Sequence, residues 1–235
     1  MRNKATQNLS PELDAAQTEA PSRQRLASEL RALQILDAAL VEFSERGFTA
    51  ARMDDIASRC GLSKGGLYAH FQSKEQVFKA LLARLLAPPE WDASMAPLAG
   101  ADAHAFAAWL VDGLYAALGQ PASMAAMHLL VAESARVQEL VNAWEDAVVL
   151  PQMAFLGRLL ESRLARSSER PTSILVRHPW LVVAPVVHTL LSQMIFGRTD
   201  AGQMAIRKQG HVELLTQLLE PHWHPAPSAP EGEGP

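Results

Sequence analysis

The sequence predicts an all-α chain, a small N-terminal unit of three helices joined by a fourth to a larger helical bundle. Three observations predict it. Apolar residues recur at helical spacings of three and four along most of the chain, and no stretch alternates apolar and polar residues as a half-buried strand would. The proline pair Pro88-Pro89 divides the pattern into a short and a long part.

The first 22 residues are polar, without periodicity, and contain Pro11 and Pro21, so they read as a disordered arm. The first helix is expected from Arg25 to Arg46, with Leu33, Leu36, Leu40 and Phe43 on one stripe and Gly47 as its stop. A short second helix covers Arg52 to Arg59, with Met53, Ile56 and Ala57 inward and Asp54 and Asp55 favourably placed in its first turn. Cys60-Gly61-Leu62 makes a tight turn. The third helix runs from Lys64 to about His70, capped by Ser63. A fourth starts after Ser73 and runs to Ala87.

Beyond the prolines, longer helices are expected at about 102–118, 121–132, 135–166, 179–197 and 203–219, with kinks at Pro151 and Pro185. His222 to Pro235, rich in Pro and Gly, reads as a frayed tail in which His222 and His224 have no metal role. The expected organisation is an arm at 1–22, a first domain at 23–87, a second at 88–221 and a tail at 222–235.

Composition limits the function classes. With 49% hydrophobic and 20% charged residues, the 235-residue chain can bury a core. A single cysteine, Cys60, excludes an intramolecular disulfide and suits a reducing, cytoplasmic setting. The N-terminus has no apolar run after its basic residues, so no secretory signal is expected. Trp180 to Phe196 is apolar but short, and it contains Pro185, His188 and Gln193 with Arg198 nearby. It is read as a helix buried in protein, not a membrane span. No Walker loop, nucleophile elbow, zinc signature or dinucleotide turn is present, which argues against an enzyme and implies no cofactor and no metal.

The net charge of −4 hides an asymmetry: residues 23–87 hold ten Lys/Arg against seven Asp/Glu, residues 88–235 nine against fifteen. A mildly basic N-terminal block on an acidic remainder fits a separate unit that contacts a polyanion. The segment Gly47 to Leu81 gives that unit a geometry. Two short helices about a glycine turn form a helix-turn-helix, whose second helix can lie in a DNA major groove. Leu62, Leu67 and Phe71 make one apolar face of that helix, leaving Lys64, Gly65 and Tyr68 on the other. Gly65 and Gly66 let the backbone approach DNA closely, at about 1 kcal/mol each in helix propensity. Arg52, Ser63, Lys64, Tyr68 and His70 complete the candidate DNA contacts. Lys74, at the start of the fourth helix, adds an anion site.

These residues resemble the DNA-binding domain of TetR-like transcriptional regulators. The elements carrying the resemblance are Gly47-Phe48, Asp55-Ile56-Ala57, Gly61-Leu62-Ser63-Lys64-Gly65, Leu67-Tyr68-Ala69-His70-Phe71 and Ser73-Lys74-Glu75. Two positions depart from the pattern: Ala51 stands where a capping Thr or Ser is usual, and Gly66 where Thr is frequent, which removes a hydroxyl contact. The resemblance implies a homodimeric repressor that binds a palindromic operator and leaves it when a small molecule enters the C-terminal bundle. A non-specific, architectural DNA-binding protein is the alternative.

Within the bundle, polar handles on apolar helices are the candidate effector contacts: Trp109, Tyr115, His128, Glu133, Trp144, Gln152 and His188. The last two helices are expected to dimerise through Val187, Leu191, Ile195, Leu215 and Leu218, presenting two recognition helices to a palindrome.

Overall fold

A computed structural model describes residues 23–87, 102–164, 173–197 and 200–220. The expected arm, the tail with its two histidines and the Pro88-Pro89 boundary lie outside the described residues. Within them every regular element is helical and none is a strand.

The first helix, α1 (Arg23–Ala50), breaks at Gly47, where φ is 73° and ψ is 165°. Glycine alone adopts that backbone without strain, so the expected stop is a left-handed break that turns Phe48 back under the helix. The buried face of α1 runs Ile35, Leu36, Ala39 and Phe43, while Leu33, expected on that stripe, is exposed. Three short helices follow: α2 (Met53–Arg59), α3 (Lys64–Tyr68) and α4 (Lys74–Leu85). The turn between α2 and α3 uses Gly61 at φ 69°. Both later helices start on serine caps, Ser63 Oγ accepting from the Gly66 amide at 3.1 Å and Ser73 Oγ from the Gln76 amide at 3.2 Å. Gln76 Oε1 reaches back to the Gln72 amide at 2.7 Å, a reciprocal arrangement close to a capping box.

The larger half comprises α5 (Ala103–Leu118), α6 (Pro121–Glu133), α7 (Gln138–Trp144), α8 (Leu150–Leu164), α9 (Ile174–Arg177), α10 (Trp180–Phe196) and α11 (Ala201–Leu219). Between α7 and α8, Glu145–Val149 is a π-helical segment. Pro151 follows after Leu150; lacking an N–H and crowding the preceding turn, it displaces the hydrogen-bond register, so the expected kink takes this form.

Two hydrophobic cores organise the chain. The first centres on Phe43, Phe48 and Phe78, whose ring centroids lie 5.0 to 5.8 Å apart in edge-on and tilted pairs. It does not stop at the helix-turn-helix: Ala126 and Leu129 of α6 and Val137 just before α7 are buried in the same cluster. The second core joins α5, α8, α9, α10 and α11, with Phe106, Leu110 and Leu114 of α5 at its centre. No helix among the described residues is long and apolar enough to cross a membrane.

One polar group in the second core titrates unusually. His211 of α11 is buried, and its Nε2 lies 3.0 Å from the Val182 carbonyl oxygen of α10. Burial pushes its pKa from 6.5 down to about 4, against a smaller upward pull from that carbonyl. In this window the unfolded chain binds a proton that the folded chain does not. Stability from this group is therefore complete above about pH 6.5 and falls as pH drops toward about 4. The His211→Leu variant is expected to flatten that slope in denaturant titrations across the window. Phe78→Ala, which empties the centre of the first core, is expected to cost about 3–5 kcal/mol in the same measurement.

Candidate nucleic-acid interface

The helix-turn-helix is held rigid by a buried carboxylate. Glu42 of α1 is almost fully buried, yet its Oε2 accepts from Arg59 Nη2 at 3.1 Å, and Arg46 Nε stands 3.0 Å from its Oε1 as an ion pair without a hydrogen bond. Arg46 continues to Asp55 at 3.1 Å and Arg59 to Glu45 at 2.6 Å. The hydrogen bond that Arg59 donates to Glu42 is the largest influence raising the Arg59 pKa above its usual value. Arg84 of α4 ties back to Asp37 at 2.8 Å and to the Leu33 carbonyl at 3.1 Å. These arginines, solvated surface by their sequence pattern, therefore bolt α1 to α2 and α4.

On this frame α3 presents two faces. Leu67 is fully buried against the first core, while the side chain of Lys64 is 66% exposed and Tyr68 is 40% exposed. Gly65 is open, with nothing within 4 Å of where a Cβ would stand, and Gly66 packs on Leu62 and the Ser63 hydroxyl. The Lys64 ammonium meets Asp54 at 3.1 Å and lies 6.0 Å from the Tyr68 ring centroid. Both partners of that pair are well exposed, so it holds the lysine by at most about 1 kcal/mol. His70 is half-buried at the end of this surface.

Two expectations change. The cap position of α2 falls on Arg52, not Ala51; Arg52 is exposed and makes no side-chain capping bond, and Thr49 does not replace it. Lys74, expected to offer its ammonium to a phosphate, instead donates to the carbonyls of Thr49 at 3.1 Å and Ala51 at 2.9 Å, and sits 4.6 Å from the Phe48 ring centroid. The left-handed break at Gly47 leaves those carbonyls outside any helical ladder, and the lysine satisfies them.

The C-terminal candidates do not converge. Trp109 stacks on Phe106, and the Tyr115 hydroxyl shares a hydrogen bond with Thr189 at 3.3 Å, both at the second core. Trp144 packs on the first core, and its buried indole nitrogen has no hydrogen-bond partner. His128 and Glu133 line a cleft between α1 and α6, His188 lines a groove between α10 and α11, and Gln152 is half-buried on α8. One pocket holding all seven is absent from the described residues.

The expected dimer set also divides. Leu215 is fully buried in its own chain, facing the second core from α11, and Leu218 packs on the same core. The reason is helical phase: the inward stripe is His211, Val212, Leu215, Thr216 and Leu219, which leaves Leu214 on the outer side. Val187 and Leu191 are half-buried, and Ile195 is 72% exposed. Leu214, which the sequence groups with Leu215 and Leu218 on one ridge of the last helix, is exposed, and Phe196 and Ile206 join it as exposed apolar residues that the pattern did not single out. The spacing Ile206–Gly210–Leu214 was the available signal, since it puts three uncharged residues on one face.

A buried hydrophobic helix face, a glycine turn and an outward Lys-Gly-Tyr surface define a helix-turn-helix DNA-binding domain, here carried on a helical bundle. Residues 35–81 match the family model described as bacterial regulatory proteins, tetR family. Over those residues the chain is similar to the DNA-binding domain of that family. It is 48% identical over 60 residues to the HTH-type transcriptional activator FasR of Mycolicibacterium smegmatis, and 44% identical over 71 residues to the HTH-type transcriptional regulator UidR of Escherichia coli. Those alignments cover 26% and 30% of this chain and 27% and 32% of the two relatives. The fold extends further. NalD, the secondary repressor of the MexAB-OprM multidrug efflux pump in Pseudomonas aeruginosa, superposes on 83% of this chain and 100% of its own, with a TM-score of 0.60 at 20% identity.

The internal role of Lys74 has a measurable consequence. Lys74→Met is expected to lower stability by about 1–3 kcal/mol, because it leaves the Thr49 and Ala51 carbonyls without their donor. Thermal unfolding followed by circular dichroism checks this.

Proposed function

We propose that this chain is a homodimeric transcriptional repressor that binds a palindromic operator and releases it when a small molecule binds. The observation that carries the reading is the two-faced third helix, with Leu67 sealed in the core and Lys64, Gly65 and Tyr68 open on the opposite side. An α-helix so mounted fits a major groove. Lys64, Arg52, Tyr68 and His70 then contact phosphates, Gly65 and Gly66 allow close approach of the backbone, and Ser63 fixes the start of the helix. Lys74 acts indirectly, by holding the turn that precedes α2.

Dimerisation is assigned to α10 and α11 through Val187, Leu191, Ile195, Phe196, Ile206 and Leu214. Exposed apolar residues on neighbouring helices favour burial against a second copy, and a two-fold pairing would set two copies of α3 on one face of DNA. Repression is chosen over activation because a dimer seated on a promoter blocks it with no further contacts. NalD is a repressor of similar fold; FasR, an activator, shows that a closely similar DNA-binding domain also serves the other outcome.

Selection of duplexes from a random pool tests the reading, with an inverted repeat as the expected winner. A flat affinity across sequences would leave only an architectural role and overturn it. On the selected duplex, Lys64→Ala is expected to weaken binding and to lower the slope of log affinity against log salt by about one. An unchanged slope would remove Lys64 from the phosphate contacts.

A further inference from the structure

A cleft of about 290 Å³ opens between α1 and α6, where the helix-turn-helix meets the bundle. Its lining is formed by Phe43, Ser44 and Gly47 from one side and by Ala125, His128, Leu129 and Ala132 from the other; Phe43 and Leu129 are almost fully buried, so the accessible apolar surface is that of Ala125 and Ala132. Its floor is acidic. Glu133, the last residue of α6, lines the cleft although the residue is only 7% exposed.

That carboxylate is poorly matched. Its Oε2 meets Arg136 Nη1 at 3.4 Å, well beyond the 2.7–2.9 Å of a good charge-assisted bond, and the Arg136 side chain is 65% exposed. No described residue donates a hydrogen bond to Oε1. Instead Oε1 lies against Gly47, where a Cβ would stand 2.7 Å away. Glycine at 47 therefore keeps the inner oxygen open. A largely buried acidic group in a cleft of mixed lining, with one loose cation at its rim, gains most from a compact cation that fits the cleft.

We propose that the α1–α6 cleft binds a small organic amine, its ammonium group on Glu133 Oε1 and its hydrocarbon part against Ala125 and Ala132. The volume lies at the lower end of ligand pockets, so a compact amine suits it better than a drug-sized molecule. Arg136 yields its long contact as the ammonium arrives. The two walls come from the two halves of the chain, so an amine that prefers one spacing of α1 and α6 couples to DNA binding, and DNA to amine binding, by the same factor. As a binding site the cleft stands independently; as an effector site it rests on the regulatory reading above.

Benzylamine and its uncharged counterpart benzyl alcohol are suitable probes, titrated calorimetrically into the full chain, the Glu133→Gln variant and the Ala132→Leu variant. Ala132 lines the cleft mouth without touching the charge, so leucine there occupies the space and leaves the carboxylate. The wild type is expected to bind benzylamine about tenfold or more tightly than the alcohol. Glu133→Gln abolishes that preference and Ala132→Leu weakens both probes. Absence of benzylamine binding at millimolar concentration, or an equal preference in Glu133→Gln, overturns the proposal. Should Glu133→Gln fail to fold, full amine binding by Ala132→Leu overturns it alone. Duplex binding by the ligand-free wild type is read separately: DNA binding without amine binding sinks only the cleft, and the reverse sinks only the repressor reading.

Discussion

The packing of Phe43, Phe48 and Phe78 is the constraint on which the rest of the structure depends. These rings fill the space under the break at Gly47, close α1 on α4, and give α6 and α7 an apolar surface to rest on. The DNA-reading unit thus has no private core. Its hydrophobic centre is completed by Ala126 and Leu129, residues of the bundle, so α3 cannot be displaced independently of α6 without opening buried apolar area. That shared packing ties the bundle mechanically to the helix-turn-helix.

The polar framework works in the same direction. Glu42 is buried and accepts from Arg59 of α2, with Arg46 of its own helix paired beside it, which ties α2 to α1. Lys74 does the equivalent for the turn, tying backbone carbonyls of residues 49 and 51 to the first residue of α4. Strong local ties around a hydrophobic centre are what a short helix such as α3 needs, since five residues form no stable helix alone.

Much of this was legible in the sequence. The helix-turn-helix was readable because its signals are local: Gly47 and Gly61 at breaks, Ser63 and Ser73 at caps, and an apolar period that leaves Lys64 and Tyr68 on the far side. The bundle helices were readable for the same reason, with Pro121 and Pro151 punctuating them. What was not legible depends on partners distant in sequence. Nothing in the pattern near Lys74 reveals that carbonyls more than twenty residues earlier claim its ammonium. Leu215 and Leu214 look equivalent in sequence, and only the direction of α5 decides which is inward. The polar handles of the bundle scattered for a like reason, because an apolar helix exposes its odd polar residue to whichever neighbour the tertiary fold supplies.

The internal pairing of the basic residues bears on how the molecule meets DNA. Arg46, Arg59, Lys64 and Arg84 each hold a carboxylate of their own chain, so these four add little field at a distance. The positive excess of residues 23–87 rests instead on the other basic side chains, among them the exposed Arg52 just before α2. A polyanion approaching this face would therefore meet a few discrete positive points set among balanced pairs, and its orientation would be governed by where those points stand.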